Sequence, residues 1–263
     1  MPTTSSMRRI QTIILCGGIG YRLKEETEFK PKPMIEIGGK PILWHIMKIY
    51  AHYGFRDFII ALGYKGNLIR DYFLNKKFYD RDFTICTKNG KIKHHFKKFI
   101  DNLNITFVDT GLESLTGERV RRIKKYIKED NFMVTYGDGL ADIDLKSVLK
   151  YHKSKKVIGT VTGVYPMLKY GGLTKNEDGF VSAFEKKARI KNLINGGFMV
   201  FKKRIFNYIK PNSMIEDIFD PLIGKKQLAV YEHKGFFHAM DTYQDMEELN
   251  NIWQKNPVWK IWV

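Results

Sequence analysis

Gln11-Thr12-Ile13-Ile14-Leu15-Cys16 runs without a break into Gly17-Gly18-Ile19-Gly20-Tyr21-Arg22-Leu23. A short β-branched run of this kind, with no polar face, reads as a strand buried on both sides. Glycines at its exit let backbone N–H groups turn inward and approach a phosphate closely. Two familiar phosphate loops do not fit. A dinucleotide fingerprint needs Gly where Leu23 stands, and no Gly-Lys followed by Ser or Thr occurs in the chain. Taken alone, the glycines serve a plain tight turn equally well. Arg22 beside them and Lys30-Pro31-Lys32-Pro33-Met34 just downstream change the balance, because alternate prolines hold the backbone extended and aim two ammonium groups. A phosphate cradle with these cations predicts a triphosphate site; a solvated Lys/Pro surface turn is the competing reading of the second segment.

Outward from this loop the chain alternates strands and helices: strand 11–16, helix 41–53, strand 57–62, helix 66–75. Asn89-Gly90 between two short alternating runs marks a hairpin, and strand 104–108, a helix from Thr116 to Lys128, strand 131–136 and helix 144–153 follow. Strands separated by helices imply a mostly parallel central sheet. After Lys156 the texture is less regular, with strands 157–165, 180–185 and 196–201, helices near 202–208 and 214–223, paired short strands 227–232 and 235–240, and a closing helix 243–255. No linker or repeat divides the chain. The expectation is one α/β domain over 9–263, Rossmann-like, with helices flanking the sheet, a nucleotide-binding half over about 9–143, an elaborated half over about 144–263, and a loose extension at 1–8.

Composition narrows the function. With 263 residues, 43% of them hydrophobic, the chain has the material for a large core and is neither a mini-protein nor disordered. Cys16 and Cys86 offer no disulfide framework and no paired metal spacing, which fits a reducing, cytoplasmic setting. No apolar run reaches the roughly 20 residues of a membrane span, and the stretch after Arg8-Arg9 reads as a buried strand, not a signal peptide. The 45 Lys and Arg against 28 Asp and Glu, a net charge of +17, call for an anionic partner without choosing among nucleic acid, membrane and phosphorylated metabolite. No zinc finger, helix-turn-helix or aromatic single-strand platform is readable, so a nucleic-acid-binding protein is the weaker reading. His94 and His95 have no second ligand at zinc spacing.

Tyr136-Gly137-Asp138-Gly139 ends the strand 131–136, at the carboxyl side where open α/β sheets bind ligands. Asp138 is therefore a metal-ligand candidate, and Asp241 in Ala239-Met240-Asp241-Thr242 is the candidate for a second carboxylate; with substrate phosphates and water, two suffice for Mg2+. Asp142 is a decoy, and Asp144 reads as the N-cap of the following helix. From Arg119 to Lys128 the chain forms an amphipathic helix whose basic face is a solvated surface, except that Arg119, in the first turn, is placed to reach an anion at the helix N-terminus.

Read in order, GGIGYRL, KPKPMIEIGGKPILWHIM, VDTGLESLTGERV, TYGDGLADID, INGGFMVF and MDT resemble the sugar-1-phosphate nucleotidyltransferases, most closely the cytidylyltransferases among them, from Ile10 to Val263. The resemblance implies the nucleotide-diphospho-sugar transferase fold, whose second half binds the sugar. It also implies Mg2+-dependent transfer of a cytidylyl group from CTP to glucose 1-phosphate, giving CDP-glucose and pyrophosphate, in a homo-oligomer with no nucleic-acid partner. By matching motif positions, Leu15, Cys16, Gly17, Gly18, Gly20, Tyr21, Arg22, Lys32, Ser114, Arg119 and Gly137 would line the nucleotide site. Asp138 and Asp241 would bind metal, and Glu185, Lys186, Asn195 and Gly196 would hold the sugar and its phosphate. Arg22, Lys32, Asp138 and Lys186 would be the catalytic groups. There are departures: Tyr21 replaces the usual Thr before the Arg, Lys187 replaces the Pro after Glu185-Lys186, Phe236-Phe237-His238 stands where a Trp is common, and Ser213–Pro221 matches only loosely. These lie on the substrate side, so another sugar 1-phosphate or another nucleotide is the alternative; a catalytically inactive binder is a further one.

Overall fold

The computed structural model describes residues 10–79, 82–95, 102–167, 170–186, 188 and 192–262. Its centre is a seven-stranded sheet of β1 (Gln11–Cys16), β2 (Asp57–Leu62), β3 (Asn104–Asp109), β4 (Asn131–Tyr136), β5 (Gly159–Val164), β6 (Ile194–Lys202) and β7 (Leu228–His233), in the order β7-β5-β6-β4-β1-β2-β3. Only β6 runs antiparallel to its neighbours β4 and β5; the other pairings are parallel. The mostly parallel sheet read from the sequence is therefore present.

The continuous apolar runs are explained by burial on both faces. Alternate side chains of β1 and β2 enter opposite cores: Ile14, Cys16, Phe58 and Ile60 join one, Ile13, Leu15, Ile59 and Ala61 the other. Helices α1 (Ile42–His52), α2 (Gly66–Tyr79), α3 (Thr116–Ile123), α4 (Leu145–Lys155) and a C-terminal α5 (Tyr243–Lys255) flank the sheet. Asp144 caps α4 by accepting from Lys146 N and Ser147 N, as its position predicts. The basic helix is shorter than its pattern: α3 stops at Ile123 and continues as a 3-10 turn, Lys124–Tyr126. The helices expected near 202–208 and 214–223 are likewise a 3-10 turn at Lys203–Asn207 and a 3-10 turn leading into the short helix Phe219–Ile223.

One pairing is corrected. The runs at 227–232 and 235–240 do not pair with each other: β7 lies parallel to β5, and Phe237–Ala239 pairs with Gly139–Ala141. Asp142 ties the connection between the two runs to the end of the 139–141 strand: its Oδ1 accepts from Phe236 N at 2.7 Å and lies 2.9 Å from His233 Nε2. The run at 180–185 pairs with Gly172–Lys175 across Asp178-Gly179, a hairpin on the surface. The expected extension 1–8 and Lys187 lie outside the described residues.

The tryptophans Trp259 and Trp262 are buried in the first core. They and Trp253 surround His45 of α1. His45 Nε2 sits 2.8 Å from the Ile37 carbonyl and Nδ1 3.4 Å from Trp259 Nε1. That partner set matches the neutral ring with its proton on Nε2, and burial pushes the His45 pKa down to about 4.

Candidate active site

The carboxyl ends of β1, β2 and β4 and the start of the reversed β6 meet at one edge of the sheet. Gly17 leaves β1 there, and its carbonyl accepts from Tyr64 N at 3.1 Å. A side chain at Gly17 would overlap the Arg119 guanidinium, so only glycine lets the loop settle onto it. Gly20 adopts φ +74°, the left-handed region that favours glycine, and its carbonyl accepts from Leu23 N and Thr27 Oγ1. Tyr21 and Arg22 follow on the surface, with Tyr21 76% exposed. The side chain that departs from the family pattern thus faces solvent, free of the packed core.

Arg119 corrects its sequence reading. It is 3% exposed and does not present its guanidinium to an anion. Its NH1 and NH2 donate to the carbonyls of Leu62, Gly111, Gly17 and Leu112 and to Thr110 Oγ1. A planar fork with several donors suits such a cluster of acceptors. Arg119 thus braces the glycine loop from behind, linking the ends of β1, β2 and β3. Ser114 donates to the Thr110 carbonyl in the same turn of chain.

Lys32, in the short 3-10 turn Lys32–Met34, crosses to the opposite wall. Gly137 makes this possible: a Cβ there would crowd Pro33, the Leu15 carbonyl and Cys16 Sγ. The Lys32 ammonium lies 2.6 Å from Asp138 Oδ2 and 2.8 Å from Asp241 Oδ1. Burial works against its charge, but Asp138 and Asp241 outweigh that and hold its pKa above the usual lysine value. Burial, and then the charge of Asp138, push the Cys16 thiol far up, so it stays protonated and packs as an apolar group. Arg22 reaches the other Asp241 oxygen at 3.4 Å.

The two aspartates come from distant segments joined by a backbone bond, Met240 N to the Asp138 carbonyl at 2.9 Å. Asp241 is further fixed by Asp245, whose carboxylate accepts from the backbone N–H groups of Asp241 and Thr242 and from Thr242 Oγ1, completing the capping box of α5. Two carboxylates converging on one ammonium form a hard-oxygen donor set arranged around a positive charge. Such a set fits Mg2+ completed by phosphate oxygens and water.

The residues expected to hold the sugar lie farther along the same edge. Asn195 and Gly196 open β6, where Asn195 Oδ1 accepts from Gly197 N at 3.0 Å. Glu185 ends an exposed hairpin strand and Lys186 follows it, both in solvent. The structure thus brings Gly17, Arg22, Lys32, Gly137, Asp138 and Asp241 together, and leaves Glu185 and Lys186 on a projecting arm.

Three contributors escaped the sequence reading. Asp245 was legible as the third residue after Thr242 in a capping box. Glu118, buried, accepts from Arg121, Arg122 and Asn212 N, and these donors hold its pKa down to about 2. Tyr136 donates its phenol proton to Glu216, and no local pattern signals that pair. The basic face of α3 is the solvated surface expected, with Glu118 pairing Arg121 and Arg122.

The nucleotidyl transferase family model matches residues 11–260. The "Probable glucose-1-phosphate cytidylyltransferase" of Bacillus subtilis (strain 168) is 43% identical over 259 residues, covering 96% of this chain and all of that protein (100%). The glucose-1-phosphate cytidylyltransferase of Salmonella typhi is 40% identical over 258 residues, with 96% and 100% covered. Among solved structures, HddC from Yersinia pseudotuberculosis superposes with a TM-score of 0.66 at 25% identity, covering 93% of this chain and 99% of that one. With a full-length family match and relatives this similar, joined to a glycine loop facing a paired-carboxylate site, the chain belongs to the nucleotidyl transferase family.

Proposed function

We propose that this protein is a glucose-1-phosphate cytidylyltransferase, converting CTP and glucose 1-phosphate into CDP-glucose and pyrophosphate with Mg2+ as its metal. The observation that carries the reading is the convergence of Asp138 and Asp241 on the Lys32 ammonium beside the glycine loop; the cytidylyltransferases at 40% and 43% identity support the choice of substrates.

A sugar phosphate, with a second pKa near 6, is largely dianionic at neutral pH and needs no general base. Its oxygen attacks the α-phosphorus of CTP; the new P–O bond forms as the bond to the bridging oxygen breaks, and the electron pair leaves with pyrophosphate. Repulsion between the anions is the obstacle. Lys32 and Arg22 place positive charge at the loop, backbone N–H groups of Gly17, Gly18 and Gly20 face the phosphates, and Lys186 on its arm meets the sugar phosphate. Asp138 and Asp241 would hold Mg2+, which would supply charge neutralisation for the phosphates.

The same reading makes residues 9–263 one catalytic domain, with nucleotide and sugar halves meeting near 143. Among the described residues no helix is long and apolar enough to cross a membrane. A cytoplasmic homo-oligomer is the proposed setting. The test is mass-spectrometric detection of CDP-glucose after incubating the protein with CTP, glucose 1-phosphate and MgCl2. A different nucleotide sugar from a mixed pool would move the assignment within the family, and no product would remove it.

A further inference from the structure

His238, Asp245 and Glu248 form a cluster of metal-ligating side chains outside the Asp138–Asp241 pair. His238 lies on the strand Phe237–Ala239, opposite Leu140, and its ring is nearly parallel to that of Phe236, with centroids 6.4 Å apart. Asp245 and Glu248 stand three residues apart on α5, a spacing that puts both side chains on one helix face. His238 Nε2 is 3.5 Å from Asp245 Oδ1 and 3.8 Å from Glu248 Oε2. One ligand atom from each of the three residues lies within 4.8 Å of the others.

Each carboxylate is oriented by donors of its own. Asp245 is only 4% exposed; its Oδ2 accepts from Asp241 N, Thr242 N and Thr242 Oγ1, and it is Oδ1 that faces the imidazole. Gln244 Nε2 donates to Glu248 Oε1 at 3.1 Å, and Oε2 is the oxygen turned to His238. Supporting bonds of this kind set ligand oxygens in place before an ion arrives. The separations distinguish a hydrogen-bonded pair from a metal seat. An N–H···O bond spans about 2.7–3.2 Å, whereas ligands about 2.0–2.2 Å from a tetrahedral zinc stand roughly 3.3–3.6 Å from one another. The 3.5 and 3.8 Å found here are long for the first and close to the second. Glu248, whose side chain is 49% exposed, has the freedom to close the remaining gap.

We propose that His238 Nε2, Asp245 Oδ1 and Glu248 Oε2 bind a divalent transition metal of the zinc class, with water as the fourth ligand. The donor set selects the ion: an imidazole nitrogen suits Zn2+, whereas Mg2+ takes oxygen ligands. The exposed side of Glu248 is the route of entry and the place for the water. A metal here clamps α5 to the strand Phe237–Ala239. Because the other oxygen of Asp245 holds the Asp241 backbone, the clamp also steadies that segment. The site does not rest on the proposed reaction.

The test titrates the untagged, chelator-stripped protein with Zn2+ in excess Mg2+, followed by calorimetry and thermal unfolding, for wild type, D138N, H238Q and E248Q. Wild type and D138N should each take up one equivalent of Zn2+ with a rise in Tm. H238Q and E248Q should bind at least about tenfold more weakly, since losing even a supporting partner of a metal ligand costs roughly 10–100-fold. Co2+ in place of Zn2+ should give the visible absorption of a tetrahedral nitrogen–oxygen site in wild type and lose it in H238Q. E248Q, at an exposed position, supplies the same comparison if H238Q does not fold. No uptake of Zn2+ by wild type would overturn the proposal and leave His238 as an ion-pair partner of the two carboxylates. Uptake that persists undiminished in both H238Q and E248Q, or that disappears in D138N, would place the ion elsewhere and overturn it equally.

Discussion

Arg119 carries a full charge with almost no access to water, and protein oxygens surround its guanidinium. Replacing it by Ala strips the donor from several carbonyls at once, including that of Gly17, so R119A is expected to lose about 2–4 kcal/mol of stability and to raise KM for the nucleotide. R119K should recover little, because one ammonium does not reproduce the fork; urea denaturation with steady-state kinetics checks both. Lys32 is the opposite case, a charge held between the carboxylates of Asp138 and Asp241. K32A is expected to lower kcat/KM at least about tenfold, about 1.4 kcal/mol of transition-state stabilisation, and an unchanged rate would return KPKPM to a surface turn. The sequence announced Lys32 through its prolines and Asp138 through its glycines. It misassigned Arg119, because the partners that consume a buried arginine are mostly backbone carbonyls, which leave no residue-type signal.

At the scale of elements, the strands that sequence placed well are those buried on both faces, where an uninterrupted apolar run admits little else. β1, β2 and β4 match their expected bounds. Pairing was harder to read. Gly172–Lys175 is exposed, and Leu173 is its lone large hydrophobic residue, so no periodicity marks it. β7 and Phe237–Ala239 each pair with a segment far away in sequence, Gly159–Val164 and Gly139–Ala141, so neighbouring runs give no sign of it. The cap of α5 also fixes a neighbouring segment: Asp245 both starts the helix and holds the backbone of Asp241. D245A is therefore expected to cost about 1–2 kcal/mol of stability and to raise the Mg2+ concentration needed for half-maximal turnover. A variant that lost stability with an unshifted Mg2+ requirement would make the cap structural only.

Across the whole molecule, two buried histidines set the response to acid. Burial lowers His45 to about 4, and burial with nearby Lys202 and Lys153 lowers His152 to about 4, from an ordinary value of 6.5. The unfolded chain therefore binds protons that the folded chain refuses, and stability falls as pH drops from 6.5 towards 4. Glu118, held at about 2 against an ordinary 4.5, adds a loss as pH falls from 4.5 towards 2. Urea midpoints measured across this range should decline in that order, and H45Q should flatten the upper part. The net charge of +17 is consistent with anionic substrates.

The most direct measurement is Mg2+-dependent pyrophosphate release by wild type, D138N and D241N, with CTP, UTP, dTTP, GTP and ATP in turn and glucose 1-phosphate beside other sugar 1-phosphates. Release is expected only from CTP with glucose 1-phosphate in the wild type, and is expected to be abolished in D138N and D241N while both variants remain folded. Turnover undiminished in both aspartate variants would contradict that expectation.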